Sequence, residues 1–165
     1  MDMRDAHIGI QVDNLSDACA LLERLLGLTF AEPISWPIRV RVGDEIEKSV
    51  GRFTVSRQGP PYLEVTENVE GSKVWHSDGQ ALAFHHIGFW VQDVEAASQA
   101  LTDAGFPVEA GGLNDSDHYR YTYHNVGGLR VEVCDAGARG AFERWATTGR
   151  AEGASDEFSR SGAAT

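Results

Sequence analysis

Hydrophobic and polar residues alternate at the start of the chain and then change to a helical spacing. In residues 7–12 the apolar side chains occupy every second position, which is typical of a β-strand with one buried face. In residues 15–26 they recur every three or four positions, which predicts an amphipathic helix of about three turns. Asn14 or Ser16 is suited to cap this helix, and Gly27 to end it.

The same strand and helix pattern occurs a second time. HIGIQV at residues 7–12 is matched by HIGFWV at residues 86–91, an offset of 86 − 7 = 79 residues. A second helix is predicted over 94–104, with Asp93 as its cap and Gly105 as its end. The chain therefore contains an internal repeat.

Short segments of strand character follow each helix and are separated by glycine-containing turns. In the first half they span 38–42, 50–57 and 62–66; in the second half one lies near Val108 and the others span 120–124 and 129–134. The prediction is an α+β fold with two βαβββ modules, over residues 5–67 and 84–135. The polar segment 69–83 connects them.

One such module is too small to bury a stable core, so we expect the two to pair as one domain over residues 1–137. Their strands would form a curved mixed sheet around a central cleft. Beyond this domain, residues 138–165 are small and polar. Phe142 and Trp145 can anchor a short helix there, and 151–165 is predicted to be a disordered tail.

Composition narrows the class of protein. Of the 165 residues, 42% are hydrophobic and 24% are charged, which is typical of a globular chain. With 25 acidic and 14 basic residues the net charge is -11, which disfavours binding to nucleic acid or to anionic membranes. No apolar run has the length of a membrane helix and the start has no signal-peptide character, so we expect a cytoplasmic protein. Two cysteines are too few for a disulfide framework or a thiolate metal site.

Strand alternation also sorts the polar side chains. If the apolar residues of the first and last strand of each module face the helix, His7, Glu64, His86 and Glu132 face the cleft. Buried carboxylates need a cation or hydrogen-bond donors, and two imidazoles with two carboxylates suit one divalent Zn, Ni, Co, Mn or Fe ion. The alternative is that Glu64 pairs with an arginine and each histidine forms a hydrogen bond in the core. His85 is the alternative to His86 as the ligand on this strand, and the register of the repeat favours His86.

The same alternation assigns a possible lining to the cleft. Four arginines and two aromatic residues are expected to face inward, namely Arg39, Arg41, Arg52, Arg130, Tyr62 and Trp90. Guanidinium groups in an acidic chain suggest a small-molecule substrate with a carboxylate or a phosphate. The aromatic walls would suit a flat or acyl group, so a carboxylate or a thioester is the expected substrate. The alternative is that these arginines only neutralise nearby carboxylates.

The repeated His-Ile-Gly strand, with YLEVT at 62–66 and VEV at 131–133, resembles the vicinal oxygen chelate superfamily. That superfamily includes glyoxalase I, methylmalonyl-CoA epimerase, extradiol dioxygenases, and bleomycin and fosfomycin resistance proteins. The resemblance covers residues 5–135. It implies paired βαβββ modules, a metal ion held at the positions of His7, Glu64, His86 and Glu132, and a homodimer, which is common in the superfamily.

The ligand set is more similar to glyoxalase I and the epimerase than to the dioxygenases. This resemblance implies a metal-dependent isomerase, epimerase or lyase in which Glu64 or Glu132 removes a proton next to a carbonyl. One alternative is an extradiol-type dioxygenase that holds Fe²⁺ with His7, His86 and Glu132; another is a non-catalytic ligand-binding resistance protein. The chain departs from the epimerase pattern because residues 50–55 contain no glutamate, and no glutathione-anchoring pattern is present.

Overall fold

The computed structural model describes residues 6–151. Within them the first module contains β1 (His7–Val12), α1 (Leu15–Leu26), β2 (Ile34–Val42), β3 (Glu45–Val55) and β4 (Tyr62–Glu67). The second contains β5 (Leu82–Val91), α2 (Val94–Asp103), β6 (Val108–Leu113), β7 (Tyr119–Val126) and β8 (Leu129–Asp135). A 3₁₀ turn (Ala136–Ala138) leads into α3 (Arg139–Thr148). None of these helices is long and apolar enough to cross a membrane.

The strands close into a barrel in the order β1-β4-β3-β2-β6-β7-β8-β5. The modules pair within this chain at two seams, because β1 runs antiparallel to β5 and β2 runs antiparallel to β6. Within each module the first and last strands are parallel neighbours, β1 with β4 and β5 with β8. The predicted α+β fold with two βαβββ modules is confirmed, and the cleft between them is the interior of the barrel.

The sequence accounts for the position of α1. The side chain of Asn14 accepts a hydrogen bond from the backbone N–H of Asp17, and Gly27 ends the helix in the left-handed conformation with φ of 68°. The buried face of α1 includes Leu15 and Leu22, which pack with Val65 of β4. Burial of this face holds β1 and β4 together under the helix.

The second helix is built in the same way. Asp93 caps α2 by accepting from the backbone N–H of Ala96, and the helix ends at Asp103 with Ala104 as its C-cap residue. It packs on β7 and β8. Helix α2 therefore covers the last two strands of its module, whereas α1 lies over β4 of the first.

Strands β2 and β3 have their apolar side chains on the opposite face from the one predicted. Trp36, Ile38 and Phe53 line the barrel interior, whereas alternation places Arg39 and Arg41 on the outside. The prediction assumed that the apolar face of every strand supports a helix. Because the barrel interior beside β2 and β3 is itself apolar, their hydrophobic residues point inward.

Strand β5 contains a β-bulge at His85, directly before His86. On β1, Gly9 pairs with His86 while the next residue, Ile10, pairs with Phe84. His85 is thus an extra residue without a partner on β1. A bulge of this kind bends the strand and re-aims the side chains beside it.

Helix α3 packs against the barrel on the side of the first module. Phe142 packs edge-on against Tyr62, and Trp145 packs edge-on against Phe53. Trp145 is only 1% exposed, and its indole N–H donates to the backbone oxygen of Glu32 over 3.0 Å. The short helix predicted after residue 137 therefore shares the core of the first module. The predicted disordered tail, apart from Ala151, lies outside the described residues.

Candidate metal centre

Four side chains, one from each of β1, β4, β5 and β8, meet inside the barrel. His7 Nε2 lies 2.9 Å from Glu132 Oε2, 3.2 Å from His86 Nε2 and 3.8 Å from Glu64 Oε2. His86 Nε2 lies 3.4 Å from Glu132 Oε2. The structure thus brings together the four residues that strand alternation assigns to the cleft.

Two glycines of the repeated motif make this approach possible. A Cβ at Gly9 would overlap the imidazole of His86, and a Cβ at Gly88 would overlap that of His7. Gly9 pairs with His86 and Gly88 pairs with His7 across the β1–β5 seam. Each module therefore supplies a histidine together with the space for the other module's histidine, which explains the recurrence of His-Ile-Gly.

The arrangement fits a divalent metal ion. Ligand atoms about 2.0–2.2 Å from an ion are separated from adjacent ligands by roughly 2.8–3.6 Å at right-angle or tetrahedral geometry. Three of the four separations above, 2.9, 3.2 and 3.4 Å, lie at these values. Two imidazole nitrogens and two carboxylate oxygens are a donor set for a first-row transition metal. The ligands would be His7, His86, Glu132 and Glu64.

The two carboxylates differ in their surroundings. Burial raises the pKa of Glu64 to about 7, and the charge of Glu132 adds to this, although His7 opposes it. Burial would also raise the pKa of Glu132, but His86, His7 and a hydrogen bond from Tyr123 lower it to about 2. The Glu64 side chain is 21% exposed and that of Glu132 is 8% exposed. Glu132 is thus the firmly held carboxylate and Glu64 the accessible one.

The two histidines differ as well. Burial lowers the pKa of His86 well below its usual value, so this imidazole is neutral and able to act as a ligand. Burial also acts to lower the pKa of His7, but hydrogen bonding to Glu132 and the charges of Glu132 and Glu64 raise it. A cation among these four groups would compete with the proton on His7.

Three of the four donors, His7, Glu64 and Glu132, line a cavity with aromatic walls. Its volume is about 140 Å³, close to the roughly 150 Å³ that accommodates a benzene ring. Arg120 is the only guanidinium group among the described residues that line it, and it lies over Trp36 at 5.5 Å. The aromatic lining consists of Trp36, Phe53, Trp75, Trp90, Tyr121, Tyr123 and Phe142.

Of the residues expected to contact substrate, Trp90 lines this cavity. The structure corrects the inward position expected for Arg39, Arg41 and Arg52, whereas Tyr62 and Arg130 keep the predicted strand face but do not line the cavity. Arg39 forms an ion pair with Asp117 and lines a neighbouring pocket, and Arg41 lies over the ring of Tyr119. Both lie on the outer face of β2 for the reason given above.

The remaining three lie outside the cavity for different reasons. Arg52 belongs to the outer face of β3, where it lies 3.5 Å from Glu67. Tyr62 is buried in the core behind Phe142. Arg130 has the same strand parity as Glu132 but lies nearer the start of β8, where it binds Glu109 and lines a separate pocket.

Sequence reasoning missed several residues of the cavity. Tyr121 and Tyr123 alternate with buried Thr122 on β7, a period of two that could have placed them on the inner face. Phe142 reaches the cavity from α3, where its ring lies 5.4 Å from that of His7. The sequence contains no signal for this contact, because it depends on how α3 returns to the barrel.

Cys134 is the other candidate ligand near the four donors. Its Sγ lies within 4.8 Å of ligand atoms of His7 and Glu132, so the three can be grouped as a metal site. The thiol donates to the backbone oxygen of Phe89 over 3.3 Å, and burial raises its pKa well above the usual value. This hydrogen bond ties Cys134 to the neighbouring strand β5, so we assign the thiol a structural role.

The family is shown by comparison with known proteins. The model of the Glyoxalase/Bleomycin resistance protein/Dioxygenase superfamily matches residues 6–123, which is most of the chain. The chain belongs to this superfamily, as the resemblance of its motifs implies. No curated protein matches the chain at a significant level.

Solved structures with the same fold include two epimerases. Methylmalonyl-CoA epimerase from Mycobacterium tuberculosis is 16% identical with a TM-score of 0.53, over 78% of this chain and 85% of that one. A variant of the Streptomyces coelicolor enzyme, in complex with 2-nitronate-propionyl-CoA, is 18% identical with a TM-score of 0.55, over 79% and 92%. A hypothetical protein from Bacillus halodurans is 17% identical with a TM-score of 0.54, over 78% and 91%. At these identities the likeness shows the fold.

Proposed function

We propose that this protein is a metal-dependent isomerase, epimerase or lyase that removes a proton from the carbon next to a carbonyl group. In this proposal His7, His86 and Glu132 hold the ion, and Glu64 alternates between ligand and general base. The observation that carries the proposal is the convergence of two imidazoles and two unlike carboxylates beside one small cavity with aromatic walls.

The choice of Glu64 as the base follows from its contacts. The nearest hydrogen-bond donor to the Glu64 carboxylate is the Thr66 hydroxyl at 3.4 Å, and His7 Nε2 lies 3.8 Å from it. Glu132 is held at 2.9 Å by His7 and also accepts from Tyr123. A base must reach the substrate and accept its proton, so the loosely held carboxylate is suited to that role.

When bound, a divalent ion supplies Lewis acidity for the negative charge that develops on the carbonyl oxygen. The aromatic walls exclude water, and this strengthens electrostatic interactions within the cavity. Arg120 is placed to bind a carboxylate or another anionic group of the substrate at the cavity wall. The base Glu64 and the cation Arg120 line the same cavity, so one small molecule can contact both.

The size and lining of the cavity favour a compact substrate. About 140 Å³ admits a group of roughly one ring or a short branched acyl chain. The Streptomyces coelicolor neighbour is described with a propionyl-CoA analogue, so a thioester whose acyl group enters the cavity belongs among the candidates. Aromatic α-hydroxy ketones and small 2-oxo acids suit the same walls.

The test is solvent deuterium exchange at the α-carbon, followed by NMR or mass spectrometry. The metal-loaded protein is incubated in D₂O with α-hydroxy ketones, hemithioacetals, 2-oxo acids and acyl-CoA thioesters. We expect exchange with at least one class, and its loss in Glu64→Gln while the control Arg52→Met retains it. Absence of exchange with every class by metal-loaded protein would contradict the proposal.

A second candidate is a ring-cleaving dioxygenase, which the ring-sized aromatic cavity favours. It would hold Fe²⁺ through His7, His86 and Glu132. Iron-dependent oxygen uptake with catechols would identify it, and Glu64→Gln should then leave the uptake intact. Stoichiometric ligand binding without exchange or oxygen uptake would instead identify a binding protein. The fourth donor, Glu64, favours the isomerase or lyase proposal because it occupies space that a three-ligand dioxygenase leaves open.

A further inference from the structure

We propose that His85 is a positioning residue that determines which ring nitrogen of the ligand His86 carries the hydrogen. Val74 and Arg130 compete for Nε2 of His85, and the outcome fixes the hydrogen position on both rings. This inference rests on the metal site of the proposed function. It concerns a series of hydrogen-bonding contacts behind that site, from the partly exposed Arg130 through the buried His85 to the buried His86.

The series begins with a short contact between the two histidines. The bulge in β5 places Nδ1 of His85 2.8 Å from Nδ1 of His86. Both rings are buried and nearly perpendicular, at 82°. In a hydrogen bond between two neutral imidazoles, one nitrogen carries the hydrogen and the other accepts it.

The outer nitrogen of His85 has two partners with opposite requirements. Nε2 of His85 lies 3.0 Å from the backbone oxygen of Val74, which can only accept. It also lies 2.7 Å from a guanidinium nitrogen of Arg130, which can only donate. One neutral imidazole nitrogen cannot satisfy both partners at once.

The Val74 arrangement prepares His86 for metal binding. If His85 Nε2–H donates to Val74, Nδ1 of His85 accepts from Nδ1–H of His86. Nε2 of His86 then has its lone pair free, on the side where it lies 3.2 Å from Nε2 of His7. Ligand histidines commonly donate their second ring N–H to a neighbouring acceptor, and here that acceptor is another imidazole.

The Arg130 arrangement has the opposite result. If Arg130 donates to Nε2 of His85, the hydrogen of His85 is on Nδ1 and is donated to Nδ1 of His86. The hydrogen of His86 is then on Nε2, which lies 3.4 Å from Glu132 Oε2 and has no free lone pair for an ion. Arg130 is held for this contact by Glu109, which accepts from its Nε over 3.0 Å. Arg130 thus acts against metal binding.

The test measures zinc affinity by competition with a chelator. His85→Leu removes the acceptor, so we expect about 10–100-fold weaker zinc binding. His85→Asn keeps an acceptor at the same distance from the backbone and should restore affinity to within a few fold of the unmodified chain. Arg130→Met removes the competing donor and should bind zinc several-fold more tightly. The matched control is His124→Leu, which removes a buried histidine that bonds Phe106 away from the site.

Nitrogen NMR of the zinc-loaded chain gives a second readout that does not depend on a folded His85→Leu variant. We expect hydrogen on Nε2 of His85 and on Nδ1 of His86. Three results would each overturn this inference while leaving the proposed function intact. They are hydrogen on Nδ1 of His85, zinc affinity in folded His85→Leu equal to that of the unmodified chain, and weaker zinc binding in Arg130→Met. If the unmodified chain binds no zinc, cobalt, nickel, manganese or iron, the proposed function fails with it.

Discussion

The two modules supply the same ligand types to the candidate metal centre but hold them differently. In the second module Glu132 lies opposite Tyr123 on the neighbouring strand, whose hydroxyl donates to it. In the first module Glu64 lies opposite Val55, which has no polar group. The same cross-strand position therefore makes one carboxylate an anchored ligand and leaves the other able to move.

The histidines differ in a parallel way. His86 has His85 behind it, at 2.8 Å, because β5 carries a bulge. Nδ1 of His7 is buried and has no hydrogen-bond partner in the described part of the chain. The second module is thus the rigid half of the candidate centre, and the first is the adaptable half. A repeat can keep its ligands while their supporting residues diverge.

The strongest test of this comparison exchanges each carboxylate for its amide. Glu132→Gln removes the anchored ligand, so we expect metal affinity to fall by more than the roughly 10–100-fold that loss of an outer partner costs. Glu64→Gln should retain the ion within about tenfold but lower α-proton exchange by roughly 10²–10⁴-fold. Chelator competition and deuterium exchange measure the two effects. Equal metal loss in both variants would show that the modules are equivalent.

The next test removes the side chain by which α3 packs against the first module. Phe142 is buried against Tyr62, Trp90 and His7. Phe142→Ala should lower the free energy of unfolding by about 3–5 kcal/mol, as measured by urea denaturation. It should also raise KM, because the cavity loses one wall. A stability change below about 1 kcal/mol would mean that α3 does not pack on the barrel in solution.

Substitution of the two motif glycines should have a smaller effect on stability than Phe142→Ala. Gly88→Ala crowds His7 of the first module, and Gly9→Ala crowds His86 of the second. We expect each to cost about 1–3 kcal/mol of unfolding free energy and to weaken metal binding. Gly9→Ala should weaken it more, since it displaces the better-supported ligand. The control is Gly51→Ala, whose Cβ would meet only the flexible end of Ile38 at 3.3 Å; equal metal affinity in all three would refute the steric account.

The most local change makes the two carboxylates alike. Tyr123→Phe gives Glu132 an apolar cross-strand neighbour, as Val55 is for Glu64. Loss of one hydrogen bond to a charged group should cost about 1.5–3 kcal/mol, which is roughly 10–150-fold in metal affinity if the ion depends on an ordered Glu132. Thr122→Val on the same strand serves as the control for packing. Unchanged affinity in Tyr123→Phe would contradict the anchoring role given to Tyr123.

The sequence was sufficient for the repeat, the two helices and the inward face of four strands. These follow from local periodicity and from the exact recurrence of His-Ile-Gly, so they place His7, Glu64, His86 and Glu132 correctly on one face. The orientation of Arg39 and Arg41 was wrong because it depends on which strands the helices cover, and that is a property of the closed barrel.

Two other features could not be read from periodicity. A bulge breaks the alternation that reveals strand faces, so the position of His85 directly behind His86 has no signal in the sequence. The contact of Phe142 with the cavity depends on a long-range return of the chain. Both features set the environment of the ligands, and the environment is what distinguishes two otherwise similar modules.

The central claim is that the four convergent side chains bind a metal ion. Elemental analysis of the purified protein, repeated after dialysis against a weak chelator and readdition of Zn, Ni, Co, Mn or Fe, tests it directly. We predict about one divalent ion per chain, retained in Arg52→Met and lost in Glu132→Gln. A chain that retains none of these ions, or that retains one equally in Glu132→Gln, would contradict the account.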